Sequence, residues 1–176
     1  MSSHFALPAL ALAGALTIAA PAGAQLKVAV INTQRAVLET AEIKKAAADL
    51  QAKYAPQQAD IEKRTKELQD IQAKLENPSK LNQQEAADLQ ADGQRKQRQL
   101  QRLTDDLQGE VDRERTDILN RGGQRMQAVV TKLAEEKGLD LVVDSANTLY
   151  FKQTMDITND AIAAYNKQYP VAAKTP

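Results

Sequence analysis

Apolar residues are spaced differently in three parts of this chain. An uninterrupted apolar segment comes first, and a long polar stretch follows in which apolar residues recur every three or four positions. Short clusters of β-branched residues flank that stretch on both sides. Steps of three and four are typical of amphipathic helices, whereas compact β-branched clusters indicate strands. The pattern predicts a long helical middle between short strand segments.

Residues 34–76 carry a heptad pattern that predicts a first long helix. Two ladders with a seven-residue repeat lie three positions apart, as in a coiled-coil seam. Gln57 and Arg64 are polar members of the second ladder, and Pro56 predicts a kink. The ladders are Ala47, Tyr54, Ile61, Leu68 and Leu75, and Ile43, Leu50, Gln57, Arg64 and Ile71.

A turn near residues 77–80 separates this helix from a second one over 80–137. Asn77 precedes Pro78, and the residue before a proline disfavours helical dihedrals. Gly93 and the pair Gly122-Gly123 are either points where the second helix bends or glycines tolerated on its surface. Each helix has a narrow apolar stripe, so we expect the two to pair antiparallel as one hairpin.

The two ends of the chain predict a small sheet and a terminal helix. Residues 27–31 (KVAVI) form a buried strand, and residues 139–144 (LDLVVD) with 148–151 (TLYF) form a β-hairpin. Gly138 ends the second long helix. A final helix follows over residues 159–168.

These elements predict an α+β fold in which a helical hairpin is inserted into a small β-sheet body. The body consists of a strand over 25–32 and of a hairpin and helix over 138–170. The arm spans 33–137, and residues 171–176 are a tail. So few strands are marginal alone and leave edges open, so we expect oligomerisation to complete the sheet.

Residues 1–24 are predicted to be a signal peptide. Residues 5–24 are uncharged, and Ala22-Gly23-Ala24 fits a cleavage site that leaves Gln25 as the mature N-terminus. An uncleaved membrane anchor is the alternative, which the two prolines in this Ala-rich segment disfavour. Residues 1–4 lack the Lys or Arg that such signals carry, which leaves the true start codon open.

Composition excludes several kinds of chemistry. Lys plus Arg and Asp plus Glu both number 23, and this zero net charge argues against a nucleic-acid partner. The chain has no Cys, and its one His, His4, precedes the cleavage site, so the mature chain lacks the usual zinc ligands and nucleophile–base systems. No cofactor is predicted. A carboxylate enzyme would use Asp140, Asp144 and Asp156, but nothing pairs them with an acid/base partner or a phosphate loop. For Asp140 and Asp144, flanking or capping the strand is the preferred interpretation.

Motifs in the body resemble the Skp/OmpH family of periplasmic chaperones over essentially the whole mature chain. The most specific are residues 27–32 (KVAVIN) and residues 138–144 (GLDLVVD), the second followed by Ala146-Asn147 and Tyr150. Residues 156–158 (DIT) before the last helix also look like the family's ending. The middle of the chain matches only in its character as a polar helical hairpin.

The resemblance implies a non-enzymatic periplasmic homotrimer. Strands from three chains would form a barrel-like body, and three helical arms would surround a cavity that holds unfolded outer-membrane proteins without ATP. The absence of a phosphate-binding loop agrees with the last point. The best-known members are strongly basic whereas this chain is neutral, which puts binding of lipopolysaccharide in question.

One basic cluster is the candidate for contact with phosphate on lipid A or with anionic headgroups. A solvated helix face is the alternative. The cluster consists of Arg95, Lys96, Arg98 and Arg102.

A second function, from another class, is a structural coiled-coil spacer or adaptor of the cell envelope. Such a rod needs continuous heptads. The interruptions at Gln57, at Arg64 and over residues 90–99 speak against it.

Overall fold

The computed structural model describes residues 25–77 and 81–171. The predicted signal peptide, residues 78–80 of the turn and residues 172–176 of the tail lie outside that range. Two strands and four α-helices make up the described chain, with 3₁₀ turns at Ser145–Asn147 and Gln153–Met155. In order they are β1 Val28–Ile31, α1 Thr33–Leu38, α2 Ala41–Leu75, α3 Gln83–Lys137, β2 Leu141–Asp144 and α4 Thr158–Gln168.

Strands β1 and β2 form a two-stranded parallel sheet. Val28 is opposite Leu141, and Ile31 is opposite Asp144. On its other edge, β1 accepts a hydrogen bond at the Val30 carbonyl from the Ile157 amide, at 2.9 Å. Parallel strands need a long crossover connection, which here is the whole helical arm. The predicted combination of a small sheet with long helices is confirmed.

The predicted β-hairpin is wrong, because residues 148–152 form no strand in this chain. The Asp144 carboxylate accepts a hydrogen bond from the Ala146 amide (2.7 Å), and the Thr148 hydroxyl donates to the Asp144 carbonyl (3.0 Å). These local bonds turn the chain away from β2. Strand β2 therefore keeps one edge without a strand partner in the described chain, and the following Leu149 and Tyr150 are exposed.

The first predicted helix is divided in two at Glu39–Thr40. Thr40 is fully buried, accepts from the Ile43 amide (3.3 Å) and donates to the Val37 carbonyl (2.9 Å). It therefore ends α1 and caps α2 with one side chain. The arm thus begins at Ala41.

Helices α2 and α3 are continuous where the sequence suggests weakness. Helix α2 passes through Pro56, and α3 passes through Gly93, Gly122 and Gly123. A capping box of Asn82 and Glu85 begins α3. Gly138, at φ 61°, ends it in the left-handed conformation that glycine adopts without strain.

The hydrophobic core lies at the base of the arm, where α1, the last turns of α3, α4 and β1 meet. Met126 and Tyr165 are completely buried there. The core consists of Ala29, Ile31, Ala36, Val37, Ile43, Met126, Val129, Leu133, Ile157, Ala161 and Tyr165. Most of the length of α2 and α3 extends beyond it, so the arm is held by the contacts between its own two helices.

Candidate functional site

The seam between α2 and α3 is only partly packed. Of the ladder residues in α2, only Ile43, Tyr54 and Ile71 are buried. Leu50, Ile61, Leu68 and Leu75 are half-buried, and Ala47, Gln57 and Arg64 are exposed. A seam of this kind leaves apolar surface in contact with solvent along most of the arm.

The two long helices come close together at two glycines of α3. The sequence alone did not decide whether these glycines are bends or surface positions. A Cβ placed at Gly122 would lie 2.8 Å from Ile43 Cδ1, and one at Gly93 would lie 3.1 Å from Ile71 Cγ2. Both glycines are buried. They let α2 approach α3 near the base and near the tip of the arm.

Polar contacts fasten the two helices at three levels. At the base, Arg125 donates to Glu42 at 2.6 Å. In the middle, the Tyr54 hydroxyl donates to Glu114 at 2.9 Å, and Lys53 pairs with the same carboxylate. Towards the tip, Lys96 pairs with Glu67 at 2.8 Å.

A larger side chain at Gly122 should weaken the base of the arm. We expect Gly122→Leu to lower the free energy of unfolding by about 1–3 kcal/mol, because the added atoms overlap Ile43 and Val37. Thermal and urea unfolding measure this. The matched control is Gly109→Ala, where a Cβ meets nothing within 4 Å and the helix should gain roughly 0.5–1 kcal/mol. Equal effects of the two substitutions would contradict the close contact.

Glu114 and Glu67, the carboxylates of the middle and tip contacts, have lowered pKa values. Hydrogen bonds from Lys53 and then Tyr54 lower the pKa of Glu114 below its ordinary 4.5, and the hydrogen bond and charge of Lys96 do the same for Glu67. Both groups are partly exposed to solvent, so screening limits each contribution.

These lowered pKa values predict that the arm loosens in acid. A depressed carboxyl pKa gives stability that is full above the unfolded value and is lost as the pH falls through the folded one. We expect the melting temperatures of the wild type and of Glu67→Gln/Glu114→Gln to converge between roughly pH 6 and 3, since the variant lacks both charges. A constant difference across this range would exclude the two pairs as the cause.

The four residues of the basic cluster are in two different states. Arg95 forms an ion pair with Asp92 at 2.9 Å, one turn away on α3, and Lys96 forms one with Glu67 of α2. Arg98 and Arg102 are exposed and form no ion pair with the described residues. They lie four positions apart, so they share one face of α3.

An apolar groove of about 630 Å³ lies between the base of α3 and the sheet. Val142 and Asp144 of β2 line this groove, and Leu141 of the same strand is 47% exposed. Leu149 and Tyr150, 108 % and 81 % exposed, follow β2 in the chain. The side chains that line the groove include Ile31, Met126, Val130, Ala134, Leu139 and Val142.

The three aspartates considered for catalysis hold the backbone of the body. Asp140 accepts from the Lys27 amide (2.7 Å), and Asp144 accepts from the Thr33 amide (3.3 Å). Asp156 accepts from the Thr158 amide (2.8 Å). In the described ranges, no group of three or more His, Cys, Asp or Glu side chains could hold a metal ion.

Sequence reasoning missed the partners that fix the base of the arm. The Glu42 carboxylate accepts from Arg125 and from the Tyr165 hydroxyl, at 2.7 Å. These residues come from α2, α3 and α4. The apolar periodicity of one helix cannot predict contacts with residues so distant in sequence. The heptad pattern predicted that Tyr54 lies in the seam, but it did not predict the hydrogen bond to Glu114.

The fold defines a class of protein in which a long helical-hairpin arm extends from a small α/β body. None of the helices in residues 25–77 and 81–171 is both long and apolar enough to cross a membrane. The sequence profile of the family described as "Outer membrane protein (OmpH-like)" matches residues 27–165. The chain therefore belongs to the OmpH-like family, and the resemblance that its body motifs indicate is confirmed.

A solved structure from Caulobacter crescentus CB15 has a similar fold. It is described as a "putative outer membrane chaperone (OmpH-like)" and is 20% identical in sequence, with a TM-score of 0.68. The match covers 85% of this chain and 89% of that one. At this identity the likeness establishes the fold. No curated protein matches the chain.

Proposed function

We propose that this protein is a periplasmic holding chaperone that binds unfolded outer-membrane proteins between its arms without ATP. The observation that carries the proposal is the family match over residues 27–165, together with an arm in which many of the apolar residues are only half-buried. An unfolded client exchanges its contacts continually, so it needs many weak and non-directional ones. Half-buried apolar side chains among charges supply them.

We further propose a homotrimer as the working form. The apolar groove lies where the base of α3 meets the sheet, and the free edge of β2 and the exposed Leu149 and Tyr150 belong to the body. An open strand edge beside exposed apolar residues favours association with another chain. Three bodies joined there would place three arms around one cavity.

The test of the chaperone proposal is suppression of aggregation. An outer-membrane β-barrel protein is diluted from urea into buffer with and without the mature protein, and light scattering is followed. We expect scattering to be abolished near one trimer per client, with no nucleotide present. Unchanged scattering at a large excess of trimer would refute the proposal.

Export is part of the proposal and has a direct test. Cleavage after Ala24 would leave Gln25 as the first residue of the periplasmic protein. Mass spectrometry of the protein recovered from the periplasm should show this N-terminus. Retention of residues 1–24 on a membrane-bound protein would favour the uncleaved anchor.

Contact with anionic lipid is proposed for the basic cluster, and Arg98 and Arg102 are its best members because they have no ion pair with the described residues. Substituting both with Glu should weaken binding to lipopolysaccharide micelles. The matched control is Arg113→Glu/Arg115→Glu on the same helix. Unchanged affinity in the first variant would leave the cluster as a solvated face.

A further inference from the structure

Four side chains meet where the arm joins the body, and we call them the clasp: Glu42, Arg125, Tyr165 and Tyr169. Arg125 and Tyr165 both donate to the Glu42 carboxylate, at 2.6 and 2.7 Å. The Arg125 guanidinium lies over the Tyr169 ring at 4.7 Å, and the two tyrosine rings are 5.0 Å apart. The clasp therefore links the first turn of α2 to both α3 and α4.

The environment of the clasp strengthens these contacts. Tyr165 is fully buried, and the Glu42 side chain is only 25% exposed. A charge-assisted hydrogen bond gains strength where water is partly excluded. The Ala41 amide also donates to the Asn166 side chain at 2.9 Å, so the first residues of α2 are tied to α4 twice.

The position of the clasp matters because of what lies just beyond it. Towards the tip, α3 continues from Arg125 into Gly123 and Gly122, adjacent residues that each weaken a helix by about 1 kcal/mol relative to Ala. Helix α2 has no glycine and is continuous from Ala41, so a bend of α3 at this pair would tilt all of α2, its first turn included, relative to α4. The bonds from α4 to Glu42 and Ala41 would then have to break.

We propose that the clasp holds the arm at one angle to the body, and that its release lets the arm bend at Gly122-Gly123. Glu42, Arg125 and Tyr165 are thus positioning residues for the arm. This deepens the proposed function, because the arm angle sets the width of the space available to a client. The clasp would set this angle in the absence of a client as well.

The test measures the arm angle without a client. The chain has no cysteine, so Gln69→Cys on α2 and Ala163→Cys on α4 give one spin-label pair per chain, at two exposed positions. Labelled chains are diluted into unlabelled ones, and double electron–electron resonance gives the distance distribution. We expect one narrow peak for the parent chain.

Tyr165→Phe removes one hydroxyl and keeps the ring. We expect the population outside the main distance to rise about tenfold, as for the loss of a hydrogen bond to a charged group. Tyr169→Phe is the matched control and should leave the distribution unchanged, since the Tyr169 hydroxyl accepts only from Gln168 among the described residues. An unchanged distribution in Tyr165→Phe would overturn the proposal.

Glu42→Gln gives the second variant and a safeguard against misfolding. It removes the charge at the centre of the clasp and keeps the side-chain size, so we expect the same broadening with the helix content of the parent chain. If both variants keep a narrow peak, the clasp does not set the angle. That result would leave the chaperone proposal standing, which the aggregation assay tests separately.

Discussion

Removal of the outer arm should abolish holding activity and leave the body folded. The variant deletes residues 58–110 and joins the two helices by a short Gly-Ser turn. It keeps the core, the clasp and the Tyr54–Glu114 contact. Many weak contacts act together on one client, so we expect at least about a tenfold increase in the protein needed to suppress aggregation. Light scattering of a diluted outer-membrane client measures it.

The control for this experiment separates the arm from the assembly. The shortened protein should keep the oligomeric state of the parent chain, because the groove and the free edge of β2 lie in the body. Full suppression by an oligomeric protein without the outer arm would show that the body and the inner arm hold the client. A shortened protein that dissociates would instead show that the arms take part in assembly.

Charges at Leu149 and Tyr150 should dissociate the proposed trimer. Both residues are almost fully exposed in the single chain, so Leu149→Asp/Tyr150→Asp costs the isolated fold little. Burial of each side chain against another chain contributes about 1.5–3 kcal/mol, so we expect the apparent association constant to fall by a factor of roughly 10²–10⁴. Sedimentation equilibrium over a range of concentrations measures this change.

Leu38→Asp is the matched control for the interface. Leu38 is also an exposed apolar residue of the body, at 43%, but it does not line the groove. We expect this variant to associate like the parent chain. Equal dissociation by both substitutions would show a general effect of added charge, and no dissociation by either would exclude the segment after β2 from the interface.

Local patterns predicted the elements whose cause is local. The β-branched run of β1 and the 3–4 spacing of α2 and α3 hold in the structure. The predicted β-hairpin is wrong because residues 148–151 have the composition of a strand but do not pair with β2. An apolar pattern does not show which strands are neighbours in a sheet. The parallel pairing of β1 with β2 depends on residues more than 100 positions apart.

The candidate site was predictable in kind and not in detail. The heptad ladders indicated a weak seam, and the seam is only partly buried. The clasp could not be predicted, since Glu and Arg are common on helix surfaces. Only the folded position of α4, which places Tyr165 against Glu42, identifies the contact. Gly122 shows the same limit: a glycine in a helix suggests a bend, and only the approach of Ile43 shows that it is also a packing contact.

The central claim is a trimer that encloses one unfolded client, and the mass of the mature protein in solution tests it most directly. Light scattering coupled to size exclusion gives that mass, with and without an outer-membrane protein that has been unfolded in urea. The account predicts a trimer alone and a soluble complex of one trimer with one client. A stable monomer that leaves the client to aggregate would contradict it.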